Sequence, residues 1–335
     1  MFNLCQPRLF FIFNPFLWAH SRFLTAAQMN NGPHPQINII DTTTEASIEA
    51  AYHKALSQKA QLIVGPLLRA QVQRIAELDL NVPVIALNYV DPNVRTASNL
   101  YQFGLSPRDE ARQAVHAAWE QGYRQALLLA VSTAWGTQLA QAFRTEWEQL
   151  GGHIVEQASL SPRPRDLTAQ IRHLLQFTKP NQRRTDFDVI FLASDKTIAR
   201  QVKPLLKFFY AGDVPVYASA SVYEVNSSRQ SNNDLNGLIF CAAPWMLGQR
   251  TAYANVYAQL QTTTPAVLLN RYRAYYALGV DAFVLSQNLA SLHATPETSL
   301  SGATGQLRLT AQRSVTRQLP CAQFKQGRLV TLNRN

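Results

Sequence analysis

Apolar residues recur along this chain in two rhythms that take turns: short unbroken runs, and longer stretches in which they return every third or fourth position. Residues 36–40 read as a strand, and Ile48, Ala51, Tyr52, Ala55 and Leu56 follow at helical spacing. Residues 62–64 form a second run that ends at Gly65-Pro66, and the next helix carries Val72, Ile75 and Ala76 on one face. Residues 84–87 supply a third run. Strand, helix, strand, helix, strand is the order of a parallel sheet covered by helices, because parallel neighbours need a helix-length crossover between them.

A second series opens at Ser106-Pro107-Arg108-Asp109, which offers an N-cap, a proline at the first helical position and an acidic capping-box partner. Its helix carries Ala111, Ala114, Val115, Ala118 and Trp119 and stops near Gly122. The run 126–131, a helix lined by Leu139, Phe143, Trp147 and Leu150 that halts at Gly151-Gly152, and Ile154-Val155 come next. A helix with Leu167, Ile171, Leu174 and Leu175, the run 187–193, a helix with Ile198, Val202, Leu205, Leu206 and Phe209, and the run 214–218 continue the alternation. Pro204 is expected to kink the last of these helices. Two series of similar size predict two lobes.

After Gly237 the texture changes to a short run at 238–241, then Pro244-Trp245, then a long helix with Tyr272, Tyr275, Tyr276, Gly279, Phe283 and Leu289. The tail holds Gly302-Ala303-Thr304-Gly305, alternating Leu307 and Leu309, the turn 312–314 and a run to Leu319, which reads as a hairpin. At the other end, Arg8 and the apolar run 9–18 before Ala19-His20-Ser21 read either as a signal-like segment, interrupted by Asn14 and Pro15, or as a first buried strand followed by a helix start. No other stretch approaches the roughly 20 apolar residues of a membrane span.

Composition fits a packed protein, with 47% apolar and 16% charged residues among 335. The formal charge of +10 raises the question of nucleic acid. Lys and Arg are scattered, and the densest cluster, 163–184, lacks the aromatic interleaving that stacks bases, so no nucleic-acid partner is expected. The three cysteines, Cys5, Cys241 and Cys321, have no metal-ligand spacing and read as buried thiols or, in an oxidising compartment, as one disulfide. The histidines are dispersed, with no H-E-x-x-H, no G-x-S-x-G and no phosphate-loop pattern. Neither catalysis, nor a cofactor, nor a metal is expected.

Several segments occur in an order that points to one family. They are Val64-Gly65-Pro66-Leu67-Leu68, Val84-Ile85-Ala86-Leu87-Asn88, Ala134-Trp135-Gly136, the stretch from Tyr210 to Ala218, Leu235-Asn236-Gly237, Ala277-Leu278-Gly279-Val280-Asp281-Ala282, Gly302-Ala303-Thr304-Gly305 and Ala322-Gln323-Phe324. Together they resemble the C-terminal domain of the outer-membrane lipoproteins that activate class A penicillin-binding proteins, over residues of about 21 to 330. The resemblance implies a two-lobed α/β fold like that of type I periplasmic-binding proteins, with parallel sheets flanked by helices and three inter-lobe crossings. It also implies a non-catalytic role in peptidoglycan synthesis, a peptidoglycan synthase as partner, and a periplasmic, outer-membrane-associated location. Full-length members carry a lipobox cysteine and an N-terminal helical-repeat domain, neither of which is present in this sequence. Amino-acid-binding relatives of the fold place a small hydroxyl residue shortly after the glycine matching Gly65, whereas Leu68-Arg69 stand here.

The crossings are expected near 103–106, 243–245 and 299–302. Lobe 1 is then 22–104 with 245–300, lobe 2 is 105–244 with 301–332, and 1–21 is an atypical start. Ligands of parallel sheets gather beyond the carboxyl ends of strands, which nominates Pro66, Leu67, Asn88, Tyr89, Thr133, Trp135, Ser194, Asp195, Ser219 and Tyr223 as cleft residues. Each also has an ordinary structural role open to it: turns for Pro66 and Asn88, packing for Trp135 and Tyr223, helix caps for Asp195 and Ser219. No small-molecule ligand is identified. In a periplasmic compartment Cys241 and Cys321 can share a lobe and pair, leaving Cys5 unpaired. A solute receptor for transport or sensing is the alternative function the fold allows.

Overall fold

A computed structural model of the chain describes residues 8–13, 19–29, 35–91, 94, 96–161, 163–180, 182–249, 251–295 and 297–332. It divides into two units: Met1–Ser106 with Gly248–Gln318, and Pro107–Leu247 with Leu319–Asn335.

Unit 1 begins with β1 (Arg8–Phe13), α1 (Ala19–Gln28), β2 (Gln36–Asp41), α2 (Ile48–Ser57), β3 (Leu62–Val64), α3 (Arg69–Ala76), β4 (Val84–Ala86) and β5 (Leu100–Gln102). Its sheet has the order β2-β1-β3-β4-β5, with every pair parallel. The run 8–13, open at the sequence level between two readings, is an interior strand. Phe10 and Ile12 join the core with Tyr52, Val72 and Ile75, while Leu9 and Phe11 are buried on the opposite face. Phe11 meets Phe23 of α1 at 4.9 Å between ring centres. A strand covered on both faces reads as a continuous apolar run, and each such side chain contributes roughly 1.5–3 kcal/mol on burial. The residues 14–18 and Cys5 lie outside those described.

Unit 2 starts with α4 (Pro107–Glu120), β6 (Gln125–Val131), α5 (Ala134–Gln149), β7 (His153–Leu160), α6 (Pro164–Leu174), β8 (Val189–Ala193) and α7 (Lys196–Phe208). The helix α7 runs on through Pro204. β9 (Val216–Ala218), the short α8 (Arg229–Asn232) and β10 (Leu238–Cys241) follow. On β6, Leu127, Leu129 and Val131 enter one core and Ala126, Leu128 and Ala130 the other, so the sheet is again sandwiched between apolar layers.

The chain then returns to unit 1 through α9 (Ala254–Thr263), α10 (Ala266–Ala294), β11 (Ser299–Ser301), β12 (Gln306–Leu309) and β13 (Val315–Gln318). It ends in unit 2 with β14 (Cys321–Lys325) and β15 (Arg328–Leu332). The backbone of α10 leaves helical geometry at Tyr272. The seven strands of unit 2 lie in the order β15-β14-β10-β9-β8-β6-β7, antiparallel only where β14 pairs with β10 and β15.

Two expectations about the tail need correction. The third crossing falls between Gln318 and Leu319 instead of near 299–302, because β12 and β13 pair with β11 in a small sheet of unit 1. The terminal hairpin of unit 2 is β14–β15. Its turn residues Gln326 and Gly327 have φ of 50° and 70°, the primed geometry that matches strand twist. A Cβ on Gly327 would sit 2.2 Å from the carbonyl oxygen of Arg229, so the position excludes a side chain twice over.

Candidate functional site

The nominated residues sit where β3 and β4 end in unit 1 and where β6, β8 and β9 end in unit 2. In unit 1, β3 stops at Gly65, whose φ is +105° and where a Cβ would meet the Ile12 carbonyl oxygen at 2.1 Å. The chain can turn so close to β1 only with glycine there. Pro66 follows, and Asn88 Nδ2 donates to the Leu67 carbonyl at 3.0 Å while its Oδ1 accepts from the Tyr89 N–H at 2.9 Å. The Tyr89 hydroxyl donates toward the carbonyls of Gly104 and Val315. Pro66, Leu67, Asn88 and Tyr89 therefore form one connected rim of hydrogen-bonded turns.

The neighbouring Leu68 stands at the N-cap of α3 and provides no side-chain acceptor. Arg69 pairs with Asp91, which also takes a hydrogen bond from Gln73. An exposed branched side chain thus stands where a hydroxyl could cap the helix, next to an ion-paired guanidinium.

In unit 2 most of the nominated side chains are engaged by the scaffold. The Thr133 hydroxyl accepts from the Gly136 N–H at 3.1 Å, which caps α5. Asp195 caps α7 by accepting from the N–H groups of Thr197 and Ile198 at 2.8 and 3.0 Å. Ser194 is buried and its hydroxyl donates to the Asp195 carbonyl. Trp135 is half-buried against both cores, and Tyr223 lies over Phe240 at 5.4 Å. Ser219 is buried with its Oγ lacking a hydrogen-bond partner. No nucleophile is held against a base with an orienting third group in this set, and among the described residues no three His, Cys, Asp or Glu side chains gather as metal ligands do.

Two further constellations fasten the returning chain in each unit. Asp281 of α10 is fully buried and accepts from the Ala303 N–H at 2.6 Å, the Thr304 N–H at 2.7 Å and the Thr304 hydroxyl at 2.6 Å. A Cβ on Gly302 would meet an Asp281 carboxylate oxygen at 2.5 Å, which is why the loop is glycine at that point. Burial pushes the Asp281 carboxyl up to about 6, against the pull of those hydrogen bonds and of Arg317. In unit 2, Cys241 and Cys321 face each other across β10 and β14 and are joined by a disulfide. A signal for the Asp281 clamp was present in the two sequence segments that meet there, but spacing alone does not say that they touch.

A sequence profile described as "LppC putative lipoprotein" matches residues 16–327. Penicillin-binding protein activator LpoA of Serratia proteamaculans is 28% identical over 330 residues, covering 89% of this chain and 47% of its own length. The chain thus spans about half the length of the curated relatives it matches. Among solved structures, the C-domain of LpoA (YraM) from Haemophilus influenzae, described as a regulator of PBP1A, matches with a TM-score of 0.79 at 23% identity, covering 97% of this chain and all of that one. A "putative branched-chain amino acid ABC transporter" protein from Chromobacterium violaceum matches with a TM-score of 0.76 at 26% identity over 95% of this chain. The α/β architecture of mostly parallel sheets flanked by helices is therefore the one shared by these proteins and by periplasmic binding proteins. With the profile spanning nearly all of the described elements, the chain belongs to the LppC putative lipoprotein family.

Proposed function

We propose that this module is a non-catalytic regulator of peptidoglycan synthesis that binds a class A penicillin-binding protein and raises its activity. The observation that carries the reading is the similarity to activators of that name across 89% of the chain, through both units. The engagement of Thr133, Asp195 and Asn88 in capping and turn hydrogen bonds supports a role without chemistry of its own. Its place of work is the periplasm, at the outer membrane. A disulfide between Cys241 and Cys321 fits an oxidising compartment of that kind.

The second reading, a receptor for small solutes, draws on the match to the ABC-transporter protein. Against it stand Leu68 and the ion-paired Arg69 after Gly65, which remove the hydroxyl and add bulk where a free amino acid would be held. The deciding experiment measures glycan polymerisation by the cognate synthase with and without this chain, beside a thermal-shift screen of small solutes. Stimulated polymerisation with no solute shift is the expected result. Stabilisation by a solute, with no effect on the synthase, overturns the reading.

A further inference from the structure

Two neighbouring helices of unit 2 end in the same way. At the end of α6 the Gln176 N–H bonds to the His173 carbonyl and the Phe177 N–H to that of Arg172. At the end of α7 the Tyr210 N–H bonds to the Lys207 carbonyl and the Ala211 N–H to that of Leu206. This pairing terminates a helix by placing one residue in the left-handed region, and glycine is the usual occupant because it has no Cβ. Here the pivots are Gln176, with φ 48°, and Tyr210, with φ 61°.

A tyrosine at such a pivot is strained, and burial does not offset the strain, since Tyr210 is 45% exposed. Its neighbour Phe208 is 70% exposed. The scaffold nevertheless holds the group firmly. Arg183 Nε donates to the Tyr210 carbonyl at 2.6 Å, and the Tyr210 ring lies nearly parallel to Phe177 at 6.1 Å between centres. Phe177 in turn packs on buried Phe209 at 5.1 Å, and Phe208 meets Phe209 edge-on at 5.0 Å. The outcome is a fixed aromatic surface facing water.

Charge adds direction. Arg183 and Arg184 are engaged with Asp213, Asp186 and Glu156. Arg172, Lys179 and Lys207, beside the rings, are exposed and have no carboxylate partner among the described residues. Phe177 is the one phenyl ring within the basic cluster 163–184, and the fold brings Phe208 and Tyr210 to it from the end of α7. The surface lies where β8 and β9 begin, whereas the nominated residues of unit 2 follow the ends of β6, β8 and β9.

We propose that the aromatic surface of Phe177, Phe208 and Tyr210 is where the partner protein docks, presenting an acidic segment with an apolar pocket for Phe208. The proposal rests on the reading that this module acts by binding another protein. Exposed rigid aromatics beside cations are the residues that dominate protein interfaces.

The test measures binding of the full chain to the soluble ectodomain of the class A penicillin-binding protein of the same bacterium, for wild type, Phe208→Ser, Tyr210→Gly, and Lys179→Glu with Lys207→Glu. Tyr210→Gly removes the ring while relieving the backbone, so its Tm should hold or rise while Kd rises at least ~10-fold. Phe208→Ser should weaken binding comparably, and the charge-reversed variant should bind more slowly with a flatter salt dependence. Wild-type binding with all variants equal to it overturns the surface and leaves the functional reading standing. No binding by the wild type overturns both. Variants that keep the synthase but lose sheared peptidoglycan strands overturn the proposal in favour of a glycan site.

Discussion

Units 1 and 2 are built on the same plan, a mainly parallel sheet between helices, and both must fasten a stretch of chain that returns after visiting the other. They solve this with different chemistry. Unit 1 uses a buried carboxylate: Asp281 on α10 gathers three donors from the loop at Ala303 and Thr304. Unit 2 uses a covalent link, Cys241 to Cys321, 80 positions apart in the sequence. The first fastening responds to protons and to the loss of a single acceptor, the second to reductant, so the stabilities of the units should be separable by solution conditions.

The largest expected effect comes from Asp281→Ala. It leaves two backbone N–H groups and a hydroxyl buried without an acceptor, at about 1–3 kcal/mol each, for a loss of about 3 kcal/mol or more in unit 1. Hydrogen exchange should accelerate in α10 and in 299–318 while β6 and β8 keep their protection. Equal loss in both units would break the comparison. Next is the double variant Cys241→Ala with Cys321→Ala, expected to cost unit 2 about 2–4 kcal/mol through the freed loop. Urea unfolding followed by tryptophan fluorescence reads mainly this unit, because four of the chain's five tryptophans, Trp119, Trp135, Trp147 and Trp245, belong to it.

The proton dependence sharpens the contrast further. The native Asp281 carboxyl keeps its proton to about pH 6, above the ordinary value of 3.8, so the folded form binds the extra proton and is favoured by it. That stabilisation is complete below pH 4 and is lost as pH rises through about 6, a change of about 3 kcal/mol in unit 1. Denaturant midpoints of wild type between pH 4 and 7 should fall along this window, and Asp281→Ala should flatten the trend. The smallest effect expected is from Asp195→Ala, which removes the cap of α7 and costs about 1 kcal/mol in unit 2 alone, seen as a small drop in its urea midpoint.

Much of the architecture was legible in the order of residues, and the particular misses have physical reasons. The runs at 62–64 and 238–241 are the strands β3 and β10 because a short apolar run with a chain reversal on its flank has no room to be a helix. The start of α1 was legible as one of two readings, since the apolar run before Ala19-His20-Ser21 suits a leader as well as a strand that leads into a helix, and the buried Phe23, Ala26 and Ala27 come only after it. Leu307, Leu309, Val315 and Phe324 all alternate alike, and alternation states which face is buried without stating which strand is the neighbour. That is how β12 and β13 came to be read with unit 2. The rim of turns at Asn88 followed from strand ends, whereas the aromatic surface at Tyr210 did not, because its rings come from two helices and meet only after the sheet has set their spacing.

The segment from β11 to β15 has a consequence for how the protein is made. It supplies a separate small sheet to unit 1, whose main sheet β1–β5 is already complete at Gln102, and two strands to unit 2, whose sheet stays open beyond β10 until β14 and β15 have been made. A chain emerging N-terminus first must carry the sheet of unit 2 with β10 as an unfinished apolar edge while α9 to β13 are added, a state in which chaperones and proteases have access to it. Closure of unit 2 therefore comes late, which turns β14 and β15 into a checkpoint: a product truncated before Ala303 would lack the partners of Asp281 in unit 1 and the two closing strands of unit 2.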